Sequence, residues 1–199
     1  MSTLESLLDD LKSEDESRAE AAVSPLVGMG EHAIPALLEL TRSPDADVRW
    51  WALRVLASSP QLQTEWLVPF LSDPAPEVRQ CAALGLAGKP DEGALRPLVH
   101  ALSDKDSMAA GLAATALVKM GSTAVPLLIE TVKRHPELAE GSNAQSQRIH
   151  ALRALAEIRD HRAIPVMMQV MQEDSVLLQH WAREGLERLG LDMVYIKPL

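Results

Sequence analysis

Residues that commonly carry catalysis or bind metals are sparse in this chain of 199 residues. No two of its six histidines have the four-residue spacing with a nearby acid that a metal site on a helix needs. No glycine-rich phosphate loop, Ser/His/Asp set or Cys/His nucleophile pair stands out. His150 and His180 fall on neighbouring helices of the repeat described below. We favour two separate, hydrogen-bonded histidines there over a shared ligand site, so the sequence predicts no enzyme, cofactor or metal centre.

The charge balance excludes one class of partner. Lys and Arg number 19 against 28 Asp and Glu, a net charge of −9, and 11 acids against 4 bases fall within residues 1–50. Phosphate binding needs a basic face, so nucleic acid is not an expected partner. The acidic N-terminal region also disfavours an anionic membrane surface.

Three features of the sequence bear on its compartment and on membrane insertion. The single cysteine, Cys81, lies in an apolar helical pattern, which predicts a buried thiol in a reducing compartment. The first ten residues are acidic where a secretory signal is basic and then apolar, so cytoplasmic localisation is expected. The weakly charged stretch 107–129 is interrupted at 119–123 and by Pro126, which predicts two short helices and no membrane span.

An alanine followed four residues later by a leucine recurs six times along the chain. Successive alanines are 30, 30, 31, 38 and 31 residues apart, in the pairs Ala22/Leu26, Ala52/Leu56, Ala82/Leu86, Ala113/Leu117, Ala151/Leu155 and Ala182/Leu186. Upstream of most pairs, an apolar segment with a proline near its start predicts a first helix. The chain is therefore one array with repeats at roughly 3–30, 31–60, 61–90, 91–121, 122–159 and 160–190 and a tail at 191–199.

Turn residues separate the two helices of each repeat. Asp, Ser and Pro at 43–47, 72–76 and 103–106 are suited to capping the second helix by accepting backbone N–H groups. Gly30, Gly121 and Gly190 come eight residues after a repeat alanine, where a left-handed residue ends a helix. Each repeat is thus a helix, a tight turn and a second helix.

Three segments resemble HEAT repeats, most closely the phycobilisome-lyase-like subtype: Asp47-Val-Arg-Trp-Trp-Ala-Leu-Arg-Val-Leu56, Glu77-Val-Arg-Gln-Cys-Ala-Ala-Leu-Gly-Leu86 and Arg159-Asp-His-Arg-Ala-Ile-Pro165. The resemblance covers about Leu4 to Gly190. It implies an all-α fold, a right-handed α-α superhelix (a HEAT/armadillo-like solenoid) of about six helical hairpins, with the second helices lining a concave surface. HEAT-type hydroxylases carry His-Glu pairs, which this chain lacks, and HEAT-fold DNA glycosylases use a basic groove, which its acidity disfavours.

The same resemblance implies a ladder of ion pairs between a turn acid and a helix arginine. It maps onto Asp47 with Arg49 and onto the region of Asp73 with Arg79. Ala110 and Gln179 take the arginine position in repeats four and six. In repeat five, Arg148 lacks a matching turn acid. The ladder is therefore expected to be incomplete in the later repeats.

The positions −2, +2 and +5 from each repeat alanine lie opposite the buried stripe at 100° per residue. Among the residues at these positions, the predicted partner-binding residues are Trp50, Arg54, Leu84, Val118, Ile149, Arg153 and His180. Ala156 also lies at one of these positions, on the same predicted face. They form an apolar strip flanked by two arginines, a composition typical of interaction sites. The alternative is that neighbouring second helices bury these residues. Trp51, Trp181 and Cys81 are expected on the flank that packs on the adjacent repeat.

Two segments depart from the repeat. The longer spacing before Ala151 maps to residues 133–145, where an extended surface turn is favoured over a binding insertion. The tail at 191–199 is apolar at 193–196, and we expect it to cap the last repeat in preference to acting as a linear motif.

These features favour a non-enzymatic scaffold or adaptor whose concave surface binds a helix or an extended segment of another protein. The resemblance also implies an alternative, a phycobilin lyase or chromophore chaperone, in which the arginines would hold the propionates. Self-association through the same strip is a third interpretation.

Overall fold

The computed structural model describes residues 3–134 and 143–191. Helices account for the regular structure of these residues, without strands, so the predicted all-α class is confirmed. The central part of the expected insertion, 135–142, and residues 192–199 of the tail lie outside the described residues. The described α-helices are α1 (Leu4–Leu11), α2 (Glu16–Gly28), α3 (Ile34–Leu40), α4 (Ala46–Ser58), α5 (Thr64–Leu67), α6 (Pro76–Gly88), α7 (Leu95–Ala101), α8 (Ser107–Met120), α9 (Val125–Lys133), α10 (Asn143–Ile158), α11 (Ile164–Val170) and α12 (Val176–Arg188).

The helices form consecutive hairpins within two compact units, Met1–Lys89 and Pro90–Leu199. In the first unit α1 packs on α2, α3 on α4 and α5 on α6. In the second unit the pairs are α7 with α8, α9 with α10 and α11 with α12. The second helices also contact one another in order: α2 contacts α4 and α4 contacts α6 in the first unit, and α8 contacts α10 and α10 contacts α12 in the second. Each unit thus has one layer of first helices and one of second helices.

The repeated alanine and leucine pairs lie in the core. All twelve of these side chains are at most 2% exposed. Alanine lets the neighbouring second helix approach closely, and the leucine one turn later fills the space beside it. The 100° register inferred from the sequence therefore places the buried stripe correctly.

Local signals at the helix ends also agree with the sequence. Asp45 and Asp106 accept backbone N–H groups of Asp47 and Ala109 at 2.9 and 2.8 Å, which caps α4 and α8. Gly30, Gly121 and Gly190 have φ of +56°, +60° and +80°. These positive values are costly for residues with a Cβ, so glycine ends the preceding helix in all three places.

The arginine ladder joins α4 and α10 to the turn of the repeat that follows each of them. Arg49 donates to both carboxylate oxygens of Asp73, at 2.9 and 2.7 Å, and to the carbonyl of Ser43 at 2.9 Å. The expected pairing of Arg49 with Asp47 is therefore wrong. Asp47 lies on the same helix as Arg49 and is exposed, whereas Asp73 is buried beside the guanidinium.

The expectation that Arg148 lacks an acid is also wrong. Arg148 donates to Glu173 at 2.7 and 2.9 Å, and Glu173 belongs to the turn before α12. Gln179, which replaces the arginine in that last repeat, donates to the carbonyl of Glu173 at 2.6 Å. Arg79 makes the same link to the carbonyl six residues before it, that of Asp73, at 2.8 Å. The glutamine thus keeps the backbone link and loses only the charge.

Within the described residues, each helix is too short or too polar to cross a membrane alone. Ser107–Thr123 and Val125–Lys133 reach the required length and hydropathy only when taken together, and they are bent by 119°. The two short helices predicted for this stretch are present.

Candidate binding surfaces on the second helices

The predicted site residues of the first unit lie on α4 and α6. Leu84 is 59% exposed, which is high for a large apolar side chain, and Trp50 and Arg54 are half-exposed. Leu84 and Arg54 lie two residues beyond the buried repeat alanines, and Trp50 lies two residues before one. The helix periodicity that buries Ala52 and Ala82 therefore turns these three side chains toward solvent.

Trp50, Trp51 and Arg54 form one cluster. The two indoles meet edge to face with centroids 4.7 Å apart and planes at 85°. The Cζ atom of Arg54 lies 5.4 Å from the Trp50 centroid and 5.8 Å from that of Trp51. Arg54 also donates to Glu20 on α2 at 2.7 Å. The charge of Arg54 is therefore compensated within the unit. Arg54 serves to pack against the two tryptophans and is not a free cation for a ligand.

A cleft of about 490 Å³ opens beside these indoles. We call it the tryptophan cleft; it is lined chiefly by Trp50 and Trp51 and by the carboxylates of Glu14, Glu16, Asp47 and Glu77. None of these four acids was predicted from the sequence as a site residue. Asp47 and Glu77, which share one repeat register 30 residues apart, were the available signal.

Cys81 lies next to this cluster on α6. Its Sγ atom is 3.9 Å from the carbonyl oxygen of Trp50. Burial raises the pKa of the Cys81 thiol to about 11, against a smaller opposing effect of Arg54. The thiol is therefore neutral at physiological pH and behaves as a small packing residue.

The predicted site residues of the second unit are less exposed as a group. Val118 and Ile149 are half-buried, and His180 is exposed. The Arg153 guanidinium lies 5.8 Å from the Trp181 centroid and donates to Glu157 at 3.0 Å. Arg153 therefore resembles Arg54, because a carboxylate of its own unit already compensates its charge.

The +5 position on α10 is buried. Ala156 has no exposed surface, so its predicted place on the binding face is wrong. The reason is that α12 approaches α10 at Gly185, where an added Cβ would lie 3.2 Å from that of Ala156. A glycine on the next helix thus converts a nominally exposed position into a packing contact.

The two histidines considered for a shared site have different environments. The His180 ring meets Trp181 edge to face with centroids 5.2 Å apart, whereas the Nδ1 atom of His150 is buried without a hydrogen-bond partner among the residues described. Nowhere in the described part of the chain do three or more His, Cys, Asp or Glu side chains form a group able to hold a metal ion.

The titration of His150 should make the second unit less stable in mild acid. Burial lowers the pKa of His150, and the charge of Arg153 lowers it further. The unfolded chain therefore binds a proton from about pH 6.5 downward, while the folded chain does so only at lower pH, and stability falls in that window. Urea unfolding of the wild type should show this loss, and the His150→Gln variant should show a smaller one. An NMR titration with the His150 pKa at or above the usual histidine value would contradict the prediction.

A smaller cleft lies in the second unit. Its volume is about 140 Å³, and Arg96, His100, Arg134 and Gln147 supply its polar lining. Arg134 already pairs with Glu130 at 3.1 Å, and Gln147 donates to the carbonyl of Val99 at 2.8 Å. These internal bonds reduce what the cleft offers a ligand.

Comparison with known families accounts for the repeat architecture. The family described as HEAT repeats matches residues 64–142, and the family described as PBS lyase HEAT-like repeat matches residues 147–173. Residues 64–142 and 147–173 of the chain are HEAT-type repeats. The expected resemblance to both HEAT repeats and the lyase-like subtype is confirmed. None of the curated proteins matches this chain in sequence.

Solved structures share the fold of this chain at low sequence identity. An archaeal HEAT-like repeats protein from Thermococcus onnurineus NA1 is 16% identical, with a TM-score of 0.59, covering 95% of this chain and 81% of its own. The complex of CpcE and CpcF of phycocyanin lyase from Nostoc sp. PCC7120 gives 20% identity, a TM-score of 0.53, and coverages of 96% and 78%. An engineered protein is 24% identical, with a TM-score of 0.52, and the match covers 96% of this chain and 97% of that protein. These similarities establish the α-solenoid fold class and no activity.

Proposed function

We propose that this chain is a non-enzymatic, cytoplasmic scaffold that binds a segment of another protein on the solvent-facing side of its second helices. The observation that carries the proposal is that Leu84 is exposed and Trp50 half-exposed on the contacting helices α6 and α4. Tryptophan and exposed apolar side chains on one rigid helical layer are typical of binding hot spots. The acidic charge supports a protein partner over nucleic acid.

The second unit contributes Val118, Ile149 and His180 to the same proposal. Ile149 and His180 occupy the register that Trp50 occupies in the first unit, and Val118 lies at the +5 position of the same predicted face. A partner side chain that buries one large apolar residue gains about 1.5–3 kcal/mol before the costs of association. Several such contacts are needed for a stable complex, which is why a repeated surface suits the task.

Site-specific photocrosslinking in the native cells tests this function. A photoreactive amino acid at position 84, on α6, should capture a defined protein that the same residue at position 39, on the first helix α3, does not capture. The purified partner should then bind Leu84→Glu at least about tenfold more weakly than wild type, since tenfold corresponds to about 1.4 kcal/mol. Equal capture at both positions, together with unchanged affinity, would show that the second helices are not the binding face. Capture of a second copy of this chain, with a dimer in light scattering, would replace the scaffold by self-association.

A chromophore-handling role is the second candidate, favoured by the match of residues 147–173 to the PBS lyase HEAT-like repeat. Bilin propionates need cations, yet Arg54 and Arg153 are already paired with Glu20 and Glu157. The scaffold role is therefore better supported. A visible absorption band that copurifies with the protein, or forms when a linear tetrapyrrole is added, would reverse this order.

A further inference from the structure

The tryptophan cleft concentrates carboxylates that have no cationic partner in the described part of the chain. Glu14, Glu16, Asp47 and Glu77 are exposed and form none of the ion pairs present there. Five other acids of the first unit are neutralised, in the pairs Asp9 with Lys12, Asp10 with Arg18, Glu20 with Arg54, Glu39 with Arg42 and Asp73 with Arg49. Exposed acids outside the cleft, such as Glu31 and Glu65, stand apart from this group. Uncompensated negative charge therefore gathers around Trp50 and Trp51.

Helix capping explains only part of this arrangement. Glu16, Asp47 and Glu77 stand in the first turns of α2, α4 and α6, where a carboxylate interacts favourably with the helix dipole. That effect accounts for each acid on its own helix. It does not account for the fact that the three helices, with Glu14 from the preceding turn, present their acids around one pair of indoles.

The indoles themselves are suited to a cation. The Arg54 guanidinium already lies 5.4 and 5.8 Å from the two ring centroids, so these rings accept a planar cation in the folded protein. A second cation that enters the cleft would meet the same rings with four carboxylates around them. Because Arg54 is held by Glu20, its charge is partly compensated and repels such a cation less.

The size of the cleft and the spacing of its acids indicate an organic cation. About 490 Å³ lies within the range of 300–1,000 Å³ typical of small-molecule sites, enough for a long side chain and its neighbours. A metal ion needs several oxygen ligands that converge on one point, and the described residues contain no such group. An anionic ligand would be repelled.

We propose that the tryptophan cleft binds an arginine or lysine side chain of a short basic segment in the partner protein. The inference rests on the proposed function, because it specifies the chemistry of the segment that the scaffold binds. The carboxylates attract and orient the cation, and Trp50 and Trp51 contact its planar or methylene part.

Selection from a library of random dodecapeptides displayed on phage tests the proposal with the intact chain. Peptides enriched on wild type should share an arginine or lysine at one position. Synthetic copies should lose about tenfold in affinity for Asp47→Asn/Glu77→Gln, which removes two charges from the cleft. Citrulline in place of the shared arginine should weaken binding similarly, and added salt should weaken wild-type binding more than binding to the variant.

A matched variant separates the cleft from net charge. Glu31→Gln/Glu65→Gln removes two exposed carboxylates of the same unit outside the cleft, and it should bind the peptides like wild type. Enriched peptides without a basic residue, or with equal affinity for both variants, would overturn the inference. If such peptides still lost affinity for Leu84→Glu, the proposed scaffold function would stand without it. Failure to enrich any peptide would count against both.

Discussion

Replacing Asp73 with alanine is expected to lower the free energy of unfolding of the first unit by about 3–5 kcal/mol. Arg49 and Asp73 are 8% and 9% exposed, and the carboxylate accepts two hydrogen bonds from the guanidinium. Removing the acid leaves a buried positive charge without its counter-ion, and the protein cannot solvate that charge as water does. Urea unfolding followed by circular dichroism measures the loss.

Two companion variants separate charge from hydrogen bonding. Asp73 also accepts the backbone N–H of Ala75 at 2.9 Å, a bond that Asp73→Asn can keep, so this variant should lose less than Asp73→Ala. The double variant Arg49→Met/Asp73→Leu should recover much of the loss, because no unpaired charge remains. If Arg49→Met/Asp73→Leu were no more stable than Asp73→Ala, the unpaired buried charge would not be the cause of the loss.

The related pair in the second unit should be less sensitive. The Glu173 side chain is 23% exposed, against 6% for that of Asp73. Water therefore reaches the site after Glu173→Ala and partly solvates Arg148. A smaller loss for this variant than for Asp73→Ala would confirm that burial, more than the pairing itself, sets the cost.

Gly85→Ala is expected to destabilise the first unit by about 1–3 kcal/mol through overpacking. The added Cβ would lie 2.6 Å from Leu67 Cδ1 and 2.8 Å from Ala57 Cβ. The leucine can rotate away, but the Cβ of Ala57 is fixed to its backbone. The helices α4 and α6 would therefore have to separate, which weakens the contact that carries Trp50 and Leu84.

Gly111→Ala is the matched control and should change stability in the opposite direction. Gly111 lies inside α8, and a Cβ there meets nothing within 4 Å. Alanine in an unobstructed helical position stabilises by about 0.5–1 kcal/mol relative to glycine. Thermal or urea unfolding of both variants provides the comparison. A stable Gly85→Ala protein would mean that α4 and α6 pack less tightly than the structure indicates.

Local regularities determined most of the fold. The alanine and leucine repeat fixed the buried face because an α-helix turns by a constant 100° per residue, whatever lies around it. Gly30, Gly121 and Gly190 marked helix ends because only glycine adopts positive φ at low cost. Asp45 and Asp106 marked helix starts because their side chains reach N–H groups two or three residues away. These interactions join residues of the same repeat, and they can therefore be predicted from the sequence.

Contacts between repeats were decided by the tertiary structure alone. The sequence predicted an ion pair of Arg49 with Asp47 and no acidic partner for Arg148. In the folded chain Arg49 pairs with Asp73 and Arg148 with Glu173, and both acids lie in the turn of the following repeat. Ala156 has a solvent-facing register, but a glycine on the next helix buries it. Each outcome depends on how far one hairpin is displaced from the next, and helix periodicity carries no information on that distance.

The candidate site also has a part that the sequence predicts and a part that only the tertiary structure shows. Trp50 and Leu84 follow from the register, since the side opposite the alanines faces solvent. The tryptophan cleft does not, because Glu14, Glu16, Asp47 and Glu77 come from three helices and a turn that only packing brings together. The sequence by itself thus determined which face of each helix is available for binding, and the tertiary structure decided what chemistry that face presents.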